Sequence, residues 1–222
     1  MKHPLKRAIF WSVTMTLLAS ALFANQANIT LLNATVRPLQ WVAHDDKTNQ
    51  EVRETHCTAF SVNPAHRGWM TAAHCVVNSL GLPQTEHFLI DGHPATVTDV
   101  NVEDDIALLQ TSNWGVIRGL KLAIRAPRQG DTLETLGYAW GIEHPFYFFG
   151  YVSSIEFPNY VFAQMPAVGG QSGSPVIDTS GRVVGVTHVG VGSTSSIAMS
   201  PILGFTPYKA LVAYDAGWVF SR

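Results

Sequence analysis

The amino-acid sequence predicts an all-β fold, and three observations carry that expectation. Gly 18 and Pro 12 in 222 residues leave few uninterrupted stretches for long helices. Between these breakers lie short runs rich in β-branched and aromatic residues, most of them four to eight residues long, the pattern of a sandwich or barrel. The hydrophobic set is 46% of the chain and the charged set 14%, so a sizeable core is available and a largely disordered chain is excluded. Lys+Arg 14 against Asp+Glu 16 gives a net charge of −2, which argues against a nucleic-acid binder that works by phosphate neutralisation.

In chain order the candidate strands are Thr35–Val42, Cys57–Val62, Gly68–Thr71, Phe88–Ile90, Ala95–Val100 and Ile106–Gln110, then Thr132–Tyr138, Phe146–Ile155, Tyr160–Gln164, Ser174–Ile177, Val183–His188 and Ile197–Pro201. Gly, Pro, Asn or Asp bounds most of them. The stretch from Gly115 to Gly130 has a poorer strand pattern and holds Pro127, which suits a connector between two β units. The aromatic run Phe146-Tyr147-Phe148-Phe149 is assigned to the core. One helix is expected near the end, with Thr206 as N-cap, Pro207 at the first helical position, Tyr208 to Tyr214 as body and Gly217 closing it.

Residues 1–24 read as an address. Lys2, Lys6 and Arg7 precede an uncharged run from Ala8 to Phe23, and small residues stand at Ala19, Ser20, Ala21 and Ala24. That is the layout of a secretory signal, the rival being an uncleaved membrane anchor. Either way the working part is expected outside the cytoplasm, secreted or periplasmic, and a membrane is a partner only in the anchor case. In an oxidising compartment Cys57 and Cys75 are most simply a disulfide, closing a loop of roughly 20 residues worth about 3 kcal/mol; two buried free thiols are the alternative.

Three segments concentrate the chemistry: Thr71-Ala72-Ala73-His74-Cys75, Asp104-Asp105-Ile106-Ala107-Leu108-Leu109 and Gly169-Gly170-Gln171-Ser172-Gly173-Ser174-Pro175. Acyl transfer at neutral pH needs a hydroxyl nucleophile, a base that titrates near 7 and a group that fixes the base's tautomer. It also needs backbone N–H groups aimed at the developing oxyanion, and Gly170 and Ser172 stand where they could supply them. The order His, Asp, Ser matches chymotrypsin-type enzymes and neither subtilisins nor α/β-hydrolases, and the G-x-S-x-G elbow fails because Ser174 occupies its last position.

These motifs resemble the trypsin-like (chymotrypsin-fold) serine proteases over nearly all of residues 35–219. TAAHC is similar to the family's histidine motif, DIALL to its aspartate motif and GQSGSP to its serine motif. The stretches LGYAW, FGYVSS and SPVIDTSGRVVGVTHVG look closest to the bacterial HtrA-type and glutamyl-endopeptidase-type branches. The resemblance implies two antiparallel six-stranded β-barrels with a short C-terminal helix. Residues 25–115 would form the first barrel, 116–130 the connector, and 131–222 the second barrel and helix, with 25–222 as one peptidase domain. It further implies His74 as general base, Asp105 as orienting carboxylate, Ser172 as nucleophile, and Cys57–Cys75 as the disulfide bracketing the histidine loop. Asp104 is the alternative carboxylate. Protein or peptide substrates are expected, with no cofactor and no metal.

The sequence departs from the family in three places. Gln171 stands where zymogen-activated members carry the aspartate that pairs with a freed N-terminus, and no Ile-Val-Gly-Gly segment is present, so that route of activation is not expected. Pro166 and Ala167 stand where trypsin has its pocket aspartate, which disfavours cleavage after Lys or Arg. Glutamyl endopeptidases read P1 with a histidine that, counted from Ser172 or Gly185, falls at Thr187, one residue before His188. Either a bulge returns His188 to the pocket, or Thr187 lines it and His188 points toward Asp105. With Pro166, Ala167, Thr187, His188 and Gly190 as pocket candidates, the expected P1 residue is small or medium and uncharged, with Glu or Gln allowed. The rivals are a pseudoprotease used as a binding module, an esterase, and a latent enzyme needing an activator. With no PDZ-sized segment after the second barrel, an HtrA-like substrate-capturing machine is not expected.

Overall fold

Each of the two structural units is a sheet rolled until its first and last strands meet. The computed structural model describes residues 26–44, 48, 50–63, 68–77, 87–112, 118–157, 160–191 and 202–206. Strands β1 (Val36–His44), β2 (Glu51–Asn63), β3 (Gly68–Thr71), β4 (His87–Ile90), β5 (His93–Asn101) and β6 (Ile106–Thr111) close in the order β1-β2-β3-β6-β5-β4. Strands β7 (Thr132–Gly137), β8 (Phe146–Ser154), β9 (Val161–Gln164), β10 (Pro175–Asp178), β11 (Val183–Val191) and β12 (Ile202–Phe205) close in the order β10-β11-β12-β9-β8-β7. All neighbouring strands pair antiparallel, and closure leaves no edge open to another chain.

The period of two along each strand sorts side chains between three cores. On β6, Ala107 and Leu109 fill the first barrel with Trp69, Leu39 and Ile90, while Ile106 and Leu108 turn outward. They meet Phe60, Met70, Leu136, Ile177, Val183 and Val186 in a core between the barrels. Leu133, Val152, Ala163, Val176 and Phe205 fill the second barrel. A strand buried on both faces reads as a continuous apolar run, which is why Ile106-Ala107-Leu108-Leu109 carries no polar alternation. The chain between the barrels is tied to both of them: Leu120 N–H donates to Ser61 O of the first barrel at 2.8 Å, and Ala123 N–H to Val183 O of the second at 2.8 Å.

Three expectations need amendment. A helix, α1, over residues 26–35, precedes β1, and the hydropathy pattern hid it. Its buried positions are Asn28, Leu32 and Thr35, two of them polar. Leu32 enters the inter-barrel core and Asn28 hydrogen-bonds to Glu134 and Thr179 O of the second barrel. The first two strands run longer than expected because the exposed residues 51–54 of β2, three of them charged, pair with Trp41 to His44 of β1. Among the described residues the last strand is Ile202–Phe205, and the expected run Ile197–Pro201 lies outside them. The aromatic run on β8 is not core: Phe146, Tyr147 and Phe148 are half-buried and Phe149 is exposed. That strand packs extensively on β7 and β9 alone, and only Tyr147 of the run reaches the inter-barrel core. The segment 1–24 and the helix expected after Thr206 also lie outside the described residues. No helix among the described residues is long and apolar enough to cross a membrane.

Candidate active site

His74 sits in a single 3₁₀ turn, Ala73–Cys75, that follows β3 directly. Ala73 and Cys75 are buried on either side of it, and a Cys57–Cys75 disulfide, Cα–Cα 6.2 Å, ties the turn back to β2. The histidine ring is left half-exposed at the barrel rim. Asp105 ends the turn before β6 with φ +51°, a left-handed conformation that aspartate tolerates better than most residues. Burial of the four residues that follow fixes where its carboxylate points.

That carboxylate accepts on both oxygens. His74 N–H donates to Oδ1 at 2.8 Å, and His74 Nδ1 lies 2.7 Å from Oδ2. Holding amide and ring of one residue orients the imidazole, puts its proton on Nδ1 and leaves Nε2 with a lone pair. Asp104 is turned away: its Oδ2 accepts from Asn101 Nδ2 at 2.8 Å, and its N–H donates to Asn101 Oδ1 at 3.0 Å.

A second imidazole reaches the same carboxylate. His188 Nδ1 lies 2.8 Å from Asp105 Oδ2, and His188 Nε2 lies 2.6 Å from Thr206 Oγ1. The strand does carry a bulge here, pairing Thr187 with Phe205 and Val189 with Gly204 and leaving His188 without a partner on β12. Even so, the ring turns to Asp105, as in the second of the two alternatives for this strand. Burial alone would raise the Asp105 carboxyl, but hydrogen bonds from His188 and His74, with their charge, hold it well below the usual carboxylate range.

Ser172 lies in the loop before β10. Gly170 (φ +93°) and Gly173 (φ +83°) flank it, and a Cβ at Gly170 would collide with the Tyr138 carbonyl. Thr58 of β2 braces this loop from the first barrel. Its hydroxyl donates to Gly170 O at 2.9 Å and accepts from Tyr138 N–H at 2.9 Å, while its own N–H donates to Ser172 O at 2.8 Å. Among the described residues the N–H groups of Gly170 and Ser172 have no hydrogen-bond partner. The Ser172 hydroxyl donates to His188 O at 3.4 Å and makes no hydrogen bond to His74. Catalytic hydrogen bonds are often long or unmade before substrate binds.

Of the remaining candidates, Pro166 is half-buried, Ala167 and Thr187 are buried, and Gly190 pairs with Leu203 on β12. The Thr187 hydroxyl is buried without a partner. Gln171 is 1% exposed, and its Oε1 accepts from Val168 N–H at 2.9 Å, so this amide braces the segment carrying Pro166 and Ala167. Neither this role of Gln171 nor that of Thr58 leaves any trace in a sequence pattern. Cys57, His74 and Cys75 are close enough to suggest a metal cluster, but both sulfurs are in the disulfide.

The family comparison fits this arrangement: a trypsin-like peptidase domain is matched over residues 57–186, more than half of the chain. The chain belongs to the trypsin-like peptidases. Among solved structures, this trypsin-like peptidase is similar to the Rv3671c protease from M. tuberculosis in its active form. That likeness has a TM-score of 0.63 at 17% identity and covers 86% of this chain and 83% of that one, a shared fold. No curated protein matches the chain.

Proposed function

We propose that this trypsin-like peptidase is an exported serine endopeptidase in which Ser172, His74 and Asp105 carry out acyl transfer. The observation that carries the reading is the two-point grip of the Asp105 carboxylate on His74, which leaves Nε2 open at an exposed rim. His188 links the two halves, with its carbonyl on the Ser172 hydroxyl and its ring on Asp105. In the reaction Ser172 Oγ turns from that carbonyl to His74, which takes its proton as Oγ attacks the scissile carbonyl. Asp105 stabilises the imidazolium, and the Gly170 and Ser172 N–H groups receive the oxyanion. His74 then protonates the leaving amine, and a water activated by the same ring hydrolyses the acyl-enzyme.

The pocket candidates Pro166, Ala167, Thr187 and Gly190 bring no charge, so a buried Lys or Arg side chain would lack a partner there. The reading is a small or medium uncharged P1 residue. Export rests on the layout of residues 1–24, and the disulfide agrees with it. One observation favours a second reading, a latent enzyme needing an activator: the Ser172 hydroxyl rests on His188 O and not on His74. Labelling of the purified protein with a fluorophosphonate, read by intact mass with Ser172→Ala as control, separates the two. An adduct confined to Ser172 supports the active enzyme; a folded protein that takes no label supports latency.

A further inference from the structure

The His188 ring is 6% exposed, yet both its nitrogens have partners. Oδ2 of Asp105 can only accept, so Nδ1 of His188 carries a proton in either charge state. Nε2 faces the Thr206 hydroxyl, which can donate or accept. With a neutral ring the hydroxyl donates to Nε2. With a charged ring Nε2–H donates to Thr206 Oγ1, and the hydroxyl hydrogen turns to Val186 O, 3.3 Å away. Rotation of one hydroxyl therefore lets the ring take a proton from solvent without losing a partner.

Among the described residues, the titratable or charged groups facing this ring are few. Asp105 precedes β6, His74 lies across the same carboxylate, and Tyr160 meets the ring edge-on at 5.4 Å before β9. Asp104 offers the site its carbonyl, 3.5 Å from Thr206 Oγ1, while its carboxylate is held by Asn101. The one carboxylate bonded to His188 is thus the one that orients His74, and both imidazoles share its Oδ2.

We propose that His188 is a titratable positioning residue that sets how much of the Asp105 charge is available to His74. The inference rests on the serine-peptidase reading of His74 and Asp105. With His188 neutral, Asp105 keeps its full negative charge for the imidazolium that forms on His74 as Ser172 loses its proton. When His188 takes up a proton, the new cation neutralises that charge from the opposite side. The imidazolium on His74 is then less stabilised and turnover slows, while the orientation of the carboxylate is kept.

The test compares native protein, H188A and H188N, since the Asn Nδ2 can stand in for Nδ1 as a donor but does not titrate. The native acid limb of kcat is expected to fall in two macroscopic steps, one for each imidazole, and that of H188N in one. H188A is expected to lose about tenfold or more in kcat at neutral pH with KM little changed, because a donor to a charged group is gone. H188N is expected to recover most of that loss. A two-step limb that persists in H188N, or an H188A profile and kcat equal to native, would overturn the proposal. Ring ¹⁵N resonances in histidine-labelled Ser172→Ala protein report the same coupling without turnover. The His74 resonance should shift as His188 titrates, and that shift should vanish in H188N; its absence from the His188-containing protein overturns the proposal even in an active enzyme. Coupled resonances in a native protein that takes no fluorophosphonate would instead count against the active-enzyme reading and leave the His188–Asp105 coupling standing.

Discussion

The two barrels bring opposite kinds of order to the site. On the first, the polar atoms around Asp105 are matched: both carboxylate oxygens accept, the neighbouring Asp104 is locked to Asn101, and the histidine turn is clamped by a disulfide. On the second, the loop around Ser172 holds its backbone firmly but leaves functional groups open. The Gly170 and Ser172 N–H groups are unengaged, and Gln171 Nε2, Ser174 Oγ and Thr187 Oγ1 are buried without partners. Buried polar groups without partners cost about 1–3 kcal/mol each; among the described residues the first barrel carries two as well, Trp41 Nε1 and His56 Nδ1, but neither belongs to the His74–Asp105 pair. The difference teaches a division of labour. Under the proposed mechanism His74 is oriented before substrate arrives, and the Gly170 and Ser172 N–H groups stay open because the partner proposed for them is the substrate.

The severest break of the comparison removes the reacting atom from the open side. Ser172→Ala is expected to lower kcat about 10⁶-fold, as loss of the nucleophile does in a related triad, and hydrolysis at native rates would end the assignment. Next, Gly170→Ala puts a Cβ against the Tyr138 carbonyl at φ +93° and forces the loop to move. It should cost about 10²–10³ in kcat, the worth of one oxyanion donor, with the His74 ring resonances unchanged. If those resonances move too, the two sides are not separable.

On the closed side the expected effects fall on stability. Reduction of Cys57–Cys75, separated by 18 residues, should cost about 3 kcal/mol in a denaturant melt. An unchanged midpoint after verified reduction would show that the histidine turn needs no clamp. The smallest effect is in pH. The Asp105 carboxyl is held below its ordinary range by its two histidines, so its stabilisation is complete above the unfolded value, about pH 4. It is lost as pH falls through the lower, folded value. In a Ser172→Ala background, the melting-temperature gap between Asp105 and Asp105→Asn proteins should therefore be widest near neutral pH and narrow below about pH 4. A gap independent of pH would show that the carboxylate's charge is not what stabilises the site.

Much of this was legible in the sequence, for physical reasons that also mark the limit. Most strands, short and bounded by Gly, Pro, Asn or Asp, were readable because closed barrels need short strands and tight turns, while β2 with 13 residues was only half seen. The His74–Asp105 contact was legible only through the resemblance of TAAHC and DIALL to the family's motifs; burial of Ile106-Ala107-Leu108-Leu109 is what holds the aspartate in place. The direction of His188 was not legible: it turns on where a bulge falls between Thr187 and Val189, and a shift of one residue changes the face. Thr58 was invisible because a hydroxyl that braces another barrel's loop looks like any threonine in a strand. The helix α1 was missed because the face it buries carries Asn28 and Thr35 beside Leu32.

That helix has a consequence for the order in which the molecule can be assembled. It precedes the first barrel in the chain, yet its anchors are Glu134, Thr179 and the inter-barrel core. A chain emerging from its N-terminus would leave the Asn28 contacts unmade until β7 and β10 had followed, some hundred to a hundred and fifty residues later. The earliest described element is thus seated among the last. Such long-range closure is slow, so the helix acts as a latch that engages only after the second barrel exists.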